Sequence, residues 1–436
     1  MPATSKISKI KKFLKDNGFY KYRTQIKKIS ENYRLEFLRE ADPKNKRNII
    51  IEKSWHDIVS FGRKRKLLVL ELGGSYFKLF DVTVTHKDHL LVNKFQSIRF
   101  YEDKLYTPQI LFEDMKVQLD AFVKKKDRKN IDDCVFIFTF PIEQYARKDG
   151  VIDAVTININ KAVRSKNIIG IKIGESLQKY LRRRGYPKIK IGVTNDSMVN
   201  VLSAKGIEIG QKLHFDAALN IIVGTGSNIA VGYNIPEGKK SHLYMVNTEF
   251  GGFHTTPTST FDQIFHKNIA SGSEYLNEKM ISGIWQPFVF KIILEECVKN
   301  KILQPTCLDI FKRIPLDGGE IETALNSRKN HQYSEIHSFI WNELIQRGAT
   351  LCGIGIASVM AEIGRQNKGK SLKFALIEVG SVLKKAKNFK EIMTKTIDKE
   401  LIRLKAAKNV KYVSTRPRNA TPLGATVFST ITCKKK

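Results

Sequence analysis

The chain has 436 residues, 42% of them apolar, which suits two packed lobes and argues against an intrinsically disordered protein. Its five cysteines are odd in number and lack CxxC spacing, which argues against a disulfide framework or a structural zinc site and favours a reducing, cytoplasmic location. The net charge of +32 permits a nucleic acid or an anionic membrane surface as partner, but the lysines are dispersed without an aromatic-interleaved motif, so we expect no nucleic acid as main partner.

Short apolar runs that end at glycine or proline predict buried strands, and longer amphipathic stretches predict helices. In chain order, the predicted strands are 67–70, 77–84, 134–140, 188–193, 217–223 and 374–381, and the predicted helices are 4–18, 171–184, 259–300, 334–364 and 388–405. Strands alternating with helices predict an α/β protein. Two separate strand–glycine-turn units predict two lobes with a cleft between them. No apolar run approaches the length of a membrane span, so we expect none.

The GTGSN loop at 224–228 follows a predicted strand, so its backbone N–H groups and hydroxyls suit a polyphosphate. A Rossmann fingerprint is excluded because Ile229 stands where the third glycine is needed, and a Walker loop is excluded because no Gly-Lys-Ser/Thr follows. Taken alone, the loop is equally well interpreted as a plain turn.

Two glutamates downstream of this loop, Glu249 and Glu278, stand among glycine and aromatic residues. Carboxylates bind neutral polyols through charge-assisted hydrogen bonds. Such carboxylates together with a phosphate-type loop in one chain indicate a sugar kinase, although each glutamate alone is also compatible with an ordinary surface charge.

The order and the residues of these segments resemble those of the eukaryotic-type hexokinases over residues 65–430, and the EKMISG string at 278–283 is specific to that family. The segment 71–78, ELGGSYFK, resembles the family's DLGGTNFR, with Glu71, Tyr76 and Lys78 as the main departures. The segment 194–197, TNDS, resembles the Asn-Asp-Thr element that carries the family's catalytic base.

This resemblance implies an α/β, two-lobed actin-like ATPase/sugar kinase fold, with ribonuclease H-like βαβ lobes and an interlobe cleft. Residues 66–201 with the C-terminal tail 417–436 would form the small lobe. Residues 1–65 and 202–416 would form the large lobe. Sugar would bind between the lobes and drive closure, which suppresses transfer to water.

The implied activity is that of a hexokinase, with ATP and Mg²⁺ as cofactors: transfer of the γ-phosphoryl group of MgATP to the 6-hydroxyl of glucose or a related hexose, the first step of glycolysis. The alternative is a hexokinase-like sugar-binding or sensor protein with little turnover, because the sugar ligands match the family better than the nucleotide elements do.

The resemblance assigns individual roles by position. Asp196 would be the catalytic base, and Glu71 would lie near magnesium and contact it indirectly. The implied sugar ligands are Thr139, Asn160, Lys161, Asn195, Asn228, Glu249 and Glu278. The implied nucleotide contacts are Gly73, Gly74, Ser75, Lys78, Gly224, Thr225, Gly226, Ser227, Gly380, Ser381 and Thr421.

Overall fold

Strands and helices alternate along the chain in the computed structural model, which describes residues 3–73, 76–85, 89–100, 104–159, 164–211, 213–269, 274–326, 335–367 and 370–431. The strands in these residues are β1 (Ile49–Ile51), β2 (Arg65–Leu72), β3 (Tyr76–Val84), β4 (Leu90–Arg99), β5 (Asp133–Phe138), β6 (Ile142–Ala146), β7 (Ile152–Thr156), β8 (Lys190–Thr194), β9 (Ala217–Val223), β10 (Ser227–Glu237), β11 (Lys240–Asn247), β12 (Leu372–Val379) and β13 (Val410–Thr415).

The helices of the same residues are α1 (Ala3–Asp16), α2 (Lys21–Thr24), α3 (Ile26–Glu40), α4 (Pro108–Phe122), α5 (Ile173–Arg182), α6 (Asp196–Gln211), α7 (Thr260–Lys267), α8 (Leu276–Ile281), α9 (Gln286–Lys299), α10 (Ile310–Arg313), α11 (Gly318–Asn326), α12 (Glu335–Gln366), α13 (Ser381–Lys385), α14 (Phe389–Arg403) and α15 (Ala420–Phe428). Short 3₁₀ helices lie at Lys125–Asn130, Phe250–Gly252 and Pro305–Asp309.

One sheet of the described chain has the strand order β4-β3-β2-β5-β8, with β2 parallel to β5 and antiparallel to β3. Successive side chains of a strand point to opposite faces. In β2, Leu67 and Val69 therefore enter one hydrophobic core, whereas Leu68, Leu70 and Leu72 enter another. Both faces of this sheet are covered, which explains why the predicted strand at 67–70 is continuously apolar.

A second sheet has the order β1-β11-β10-β9-β12-β13 within the described residues, and β9 lies between antiparallel β10 and parallel β12. The sequence predicts β9 and β12 but not β10 and β11. Those two strands carry mixed polar and apolar residues in segments without the continuous apolar run that identifies β9. The boundaries of the small lobe and the large lobe that were inferred from the sequence stay a prediction.

Helix α6 runs from the end of β8 in the first sheet towards β9 in the second. Its buried residues, among them Val199 and Val201, lie in a hydrophobic core that also contains Leu67 of the first sheet and Ala375 of the second. Helix α6 therefore packs where the two halves of the molecule meet.

Helix α12 is long and apolar enough to cross a membrane by length and composition, although charged residues such as Glu343 and Arg347 divide its apolar stretch. Its most apolar window is nevertheless 89% buried inside the protein. Small residues of α12 allow close approach of its neighbours: a Cβ at Gly353 would lie 2.6 Å from Thr396 of α14, and a Cβ at Gly355 would lie 2.6 Å from Phe250. The helix packs as a core element of the second half.

The contact between α6 and α15 predicts a stability effect. A Cβ at Gly424 would lie 1.9 Å from the carbonyl oxygen of Val199. Gly424→Ala should therefore force the two helices apart and lower the free energy of unfolding by about 1–3 kcal/mol, as overpacking does. Urea unfolding followed by circular dichroism measures this difference.

Gly210→Ala is the matched control, because this glycine is also helical and a Cβ there meets nothing within 4 Å. Alanine favours a helix over glycine by roughly 1 kcal/mol, so this variant should be as stable as the wild type or more stable. Equal losses in both variants would contradict the close-contact interpretation.

Candidate functional site

The candidate base Asp196 is the first residue of α6, directly after β8. Asn195 caps the helix, because its Oδ1 accepts a hydrogen bond from the Ser197 N–H at 2.9 Å. Asp196 Oδ1 accepts from the same N–H at 2.8 Å, and its side chain is half-buried. The carboxylate therefore lies at the positive end of the helix dipole.

A chain of hydrogen bonds connects the start of α6 to Glu249. Asn228 Nδ2 donates to Ser197 Oγ at 2.9 Å and to Asn247 Oδ1 at 2.7 Å, and Asn228 Oδ1 accepts from the Phe250 N–H at 3.1 Å. Asn247 Nδ2 then donates to Glu249 Oε1 at 2.8 Å. Both amide hydrogens of Asn228 are therefore used inside the protein, and its side chain positions its neighbours as well as facing the candidate site.

Glu249 lies in a strained backbone conformation, with φ at 48° in the left-handed region. Non-glycine residues in this region cost about 1–3 kcal/mol and persist only where the surroundings hold them. Here the Gly252 N–H donates to the Glu249 carbonyl at 2.7 Å, while Asn247 holds the side chain. This strained turn, which directly follows β11, therefore sets the direction of the Glu249 carboxylate.

The Glu249 carboxyl has its pKa raised above the usual value, mainly because burial disfavours the charged form. The positive charge of Arg47 opposes this rise, whereas the negative charges of Asp196, Glu40 and Glu278 add to it. Asp196 and Glu278 therefore lie close enough to Glu249 to influence its ionisation, as candidate residues of one site should.

Glu278 projects from the short helix α8 towards the start of β10. Its Oε2 accepts a hydrogen bond from the Ser227 N–H at 3.1 Å. A Cβ at Gly226 would lie 2.7 Å from that same oxygen, and a Cβ at Gly251 would lie 3.0 Å from the Cβ of Glu278. Glycines at these two positions thus leave the space that the carboxylate occupies.

A cavity of about 610 Å³ opens beside Glu249, between loops of the two halves. Its lining residues are Arg39, Glu40, Asn45, Arg47, Pro141, Glu143, Ile157, Asn158, Glu249, Gly252, Phe253, His254, Glu274 and Tyr275. Thr139, which is half-buried, follows β5, and its N–H donates to the Leu72 carbonyl at 3.1 Å. Pro141, two residues after Thr139, lines the cavity, so the end of β5 lies on the cavity side of the first sheet.

The glycine loop at 224–226 is the hairpin turn between β9 and β10, and it contacts two other loops. Gly224 accepts a hydrogen bond from the Gly283 N–H at 2.8 Å. Gly380, with φ at 120°, comes so close to β9 that a Cβ would lie 2.0 Å from the Val223 carbonyl oxygen. Thr225 and Ser381 are exposed at this junction, so their hydroxyls are accessible to a ligand.

Ser227 differs from its neighbours, because its Oγ is buried and has no hydrogen-bond partner in the described part of the chain. Its backbone N–H binds Glu278, as noted above. Ser227 therefore supports the carboxylate through its main chain, and its hydroxyl is not accessible to a phosphate.

Glu71, the candidate magnesium residue, is buried and uses both carboxylate oxygens within the protein. Lys78 Nζ donates to Oε1 at 2.5 Å, and Thr421 Oγ1 donates to Oε2 at 3.0 Å. Gly73 closes the adjacent turn, since its N–H donates to the Tyr76 carbonyl at 2.9 Å. The structure thus brings Glu71, Gly73, Lys78 and Thr421 together.

Four of the predicted site residues, Gly74, Ser75, Asn160 and Lys161, lie outside the described residues. Sequence reasoning missed Asn247 and Asn48, whose Oδ1 accepts from the Asn247 N–H at 3.1 Å. Asn247 stands two residues before Glu249, so its position in the sequence could have indicated a role in the site. Asn48 is distant in the sequence, and the pairing of β1 with β11 brings it beside Asn247.

Comparisons with known proteins identify the family and the fold. Two family profiles, both described as hexokinase, match residues 10–205 and 218–430. Hexokinase-9 of Oryza sativa is 24% identical over 383 residues, covering 78% of this chain and 73% of the rice protein. Hexokinase-2 of Homo sapiens is 25% identical over 379 residues, which span 76% of this chain but only 38% of the human protein.

A solved structure shares the fold. The hexokinase of Schistosoma mansoni, determined with glucose bound, has a TM-score of 0.72 and 20% identity, and the match covers 99% of this chain and 100% of that one. The α/β, two-lobed sugar kinase fold implied by the sequence is therefore confirmed.

The hydrogen-bond chain at Glu249 predicts a pH-dependent loss of stability in Asn247→Asp. This change removes the donor to Glu249 and sets two carboxyl groups about 2.8 Å apart. The pair should hold a proton at higher pH than separate carboxyls do, so folding should lose about 1–3 kcal/mol at about pH 8 and recover part of it at about pH 5.5. Urea unfolding of variant and wild type at both pH values measures the difference.

Asn93→Asp is the matched control, because exposed Asn93 also donates to a carboxylate, that of Asp81, at 3.3 Å. Solvent screens this pair, so the loss should stay below about 0.5 kcal/mol at either pH. If Asn247→Asp loses as much unfolding free energy at the lower pH as at the higher pH, proton sharing with Glu249 is ruled out.

Proposed function

The chain belongs to the hexokinase family, and on that basis we propose that it transfers the γ-phosphoryl group of MgATP to the 6-hydroxyl of glucose or a related hexose. The observation that carries this proposal is the carboxylate at the start of α6, connected through Ser197, Asn228 and Asn247 to Glu249. A rigid base beside a sugar-binding carboxylate is what a hexose phosphotransferase requires.

Asp196 is the proposed base. Its half-buried carboxylate accepts the proton of the sugar 6-hydroxyl as that oxygen attacks the γ-phosphorus and the bond to the β-phosphate oxygen breaks. A positioned base of this kind contributes about 10²–10⁴ in rate. The remaining acceleration comes from alignment of the two substrates and stabilisation of charge on the transferred group.

Glu249 and Glu278 are the proposed acceptors for sugar hydroxyl groups. Charge-assisted hydrogen bonds to a neutral polyol are strong, and both carboxylates are held by backbone or side-chain donors from the protein. The glucose bound in the Schistosoma relative supports an aldohexose as ligand. Thr139, Asn195 and Asn228 complete the proposed set among the described residues.

ATP is the proposed donor, because the junction of the loops at 224–226 and 380–381 offers backbone groups and the exposed hydroxyls of Thr225 and Ser381. Bound magnesium would neutralise charge on the phosphates. The engaged carboxylate of Glu71 fits a contact through water, which Mg²⁺ commonly retains.

A catalytically weak sugar-binding or sensor protein is the second candidate. One observation favours it: Lys78, which matches a phosphate-facing arginine of the family, is paired with Glu71. A lysine already committed to a carboxylate stabilises phosphate charge less well than a free cation. Release of ADP in the presence of glucose separates the two candidates, since the sensor binds sugar without turnover.

Asp196→Asn tests the base. The amide keeps the size of the side chain but cannot accept the proton, so kcat should fall by about 10²–10⁴, while glucose affinity stays within a few-fold. A coupled ADP-release assay and calorimetry with glucose measure the two quantities. Asp132→Asn, at an exposed position, is the control and should leave both unchanged. A kcat near that of the wild type in Asp196→Asn would exclude this residue as the base.

Tyr76→Asn tests the first glycine turn. Tyr76 is 51% exposed next to the turn that Gly73 closes, and it takes the place of a smaller asparagine in the family element. The substitution should change the KM for ATP more than the KM for glucose. Steady-state kinetics with each substrate varied measures both, and a larger effect on glucose would mean that this turn does not face the nucleotide.

A further inference from the structure

Two histidines and an aspartate come together on the surface away from the proposed phosphoryl-transfer site. His56 lies between β1 and β2, and His214 and Asp216 lie between α6 and β9. One ligand atom from each residue can be chosen so that all three lie within 4.8 Å of one another. The sequence offers no metal-type spacing for these residues because His56 is far from the other two in the chain.

The separations of the ligand atoms suit a tetrahedral metal ion. Asp216 Oδ1 lies 3.7 Å from His214 Nε2 and 4.0 Å from His56 Nε2. Zinc binds imidazole nitrogen and carboxylate oxygen at about 2.0–2.2 Å, which places neighbouring ligands of a tetrahedron roughly 3.3–3.5 Å apart. The two Asp216 separations exceed that spacing by about 0.2–0.7 Å, and rotation of the accessible histidine side chains would have to shorten them.

The aspartate is oriented by the protein. The Lys373 N–H donates to Asp216 Oδ2 at 2.8 Å, and the Asp216 N–H donates to the Lys373 carbonyl at 2.8 Å. These two bonds fix the carboxylate and leave Oδ1 as the oxygen near the histidine nitrogens. Metal-binding carboxylates are commonly held by such outer hydrogen bonds.

His214 also has a carboxylate behind it. Its Nδ1 lies 3.6 Å from Glu208 Oε1, on the side of the ring opposite Nε2. Glu208 is itself fixed by Lys205 Nζ at 3.0 Å and by Trp55 Nε1 at 3.0 Å. A carboxylate that accepts a hydrogen bond from Nδ1–H favours the tautomer that presents Nε2 to a metal ion, and Glu208 lies within ion-pair range of that position.

The two imidazole rings are stacked, with centroids 5.1 Å apart and planes 15° from parallel. Both side chains are accessible, at 45% exposure for His56 and 67% for His214, whereas Asp216 is 27% exposed. A metal ion can therefore enter from solvent without rearrangement of the fold, and water can complete its coordination.

We propose that His56, His214 and Asp216 bind a divalent transition-metal ion, with zinc as the ion that suits two imidazoles and one carboxylate best. Magnesium and calcium prefer oxygen ligands and should bind weakly here. The ion would join two connections between the sheets, because His56 precedes β2 and His214 follows α6. This proposal does not rest on the phosphoryl-transfer activity.

Calorimetric titration of the chelator-treated full chain with ZnCl₂ tests the site. We expect one saturable site per chain that Mg²⁺ at the same concentration does not fill. His56→Gln and His214→Gln should each weaken zinc binding at least about 10-fold. His254→Gln is the control, because His254 is exposed but is not part of the cluster. Loss of binding in His254→Gln, or full affinity in both cluster variants, overturns the proposal.

A second measurement keeps the test decisive if a histidine variant unfolds. Co²⁺ in a four-coordinate site with nitrogen ligands gives strong visible absorption, and the wild type should show this band, which ZnCl₂ then removes. Weak absorption typical of six-coordinate Co²⁺, or no saturation, overturns the proposal. The cluster variants that fold should retain the wild-type rate of ADP release, since none of these residues touches the proposed substrates.

Discussion

The close packing of α6 in the core between the two sheets is the constraint on which the other features depend. Helices α6 and α15 pack closely where Gly424 meets Val199 and where Gly206 meets Leu423, and residues from both sheets complete the same core. The helix carries Asp196 at its first residue and leads through its C-terminal end towards β9. Any displacement of α6 would therefore move the proposed base relative to the glycine loop that follows β9.

The candidate site combines this rigid helix with a strained turn. Glu249 keeps a left-handed backbone because Asn247 and the Gly252 N–H hold it, and Asn228 connects the same turn to the start of α6. Buried hydrogen-bond networks of this kind define one geometry when every member is satisfied. Burial, with a smaller contribution from the neighbouring carboxylates, raises the pKa of Glu249.

Residue types and their order were sufficient to predict the two-lobed α/β fold, β9 with its glycine loop, and the identities of the candidate carboxylates. Other features could not be predicted. The commitment of both amide hydrogens of Asn228 to Ser197 and Asn247, and the pairing of Glu71 with Lys78 and Thr421, depend on rotamers that sequence does not specify.

By itself, the sequence determined which segments bury both faces, where glycine turns interrupt them, and which family the motifs resemble, because periodicity and residue type are local properties. Only the tertiary structure decided that Asn48 supports Asn247 and that His56 meets His214 and Asp216. These pairs are separated by long stretches of chain, and their distances are set by sheet pairing and helix packing. No local sequence pattern encodes such distances, since they are set when both sheets pack against α6 in the folded protein.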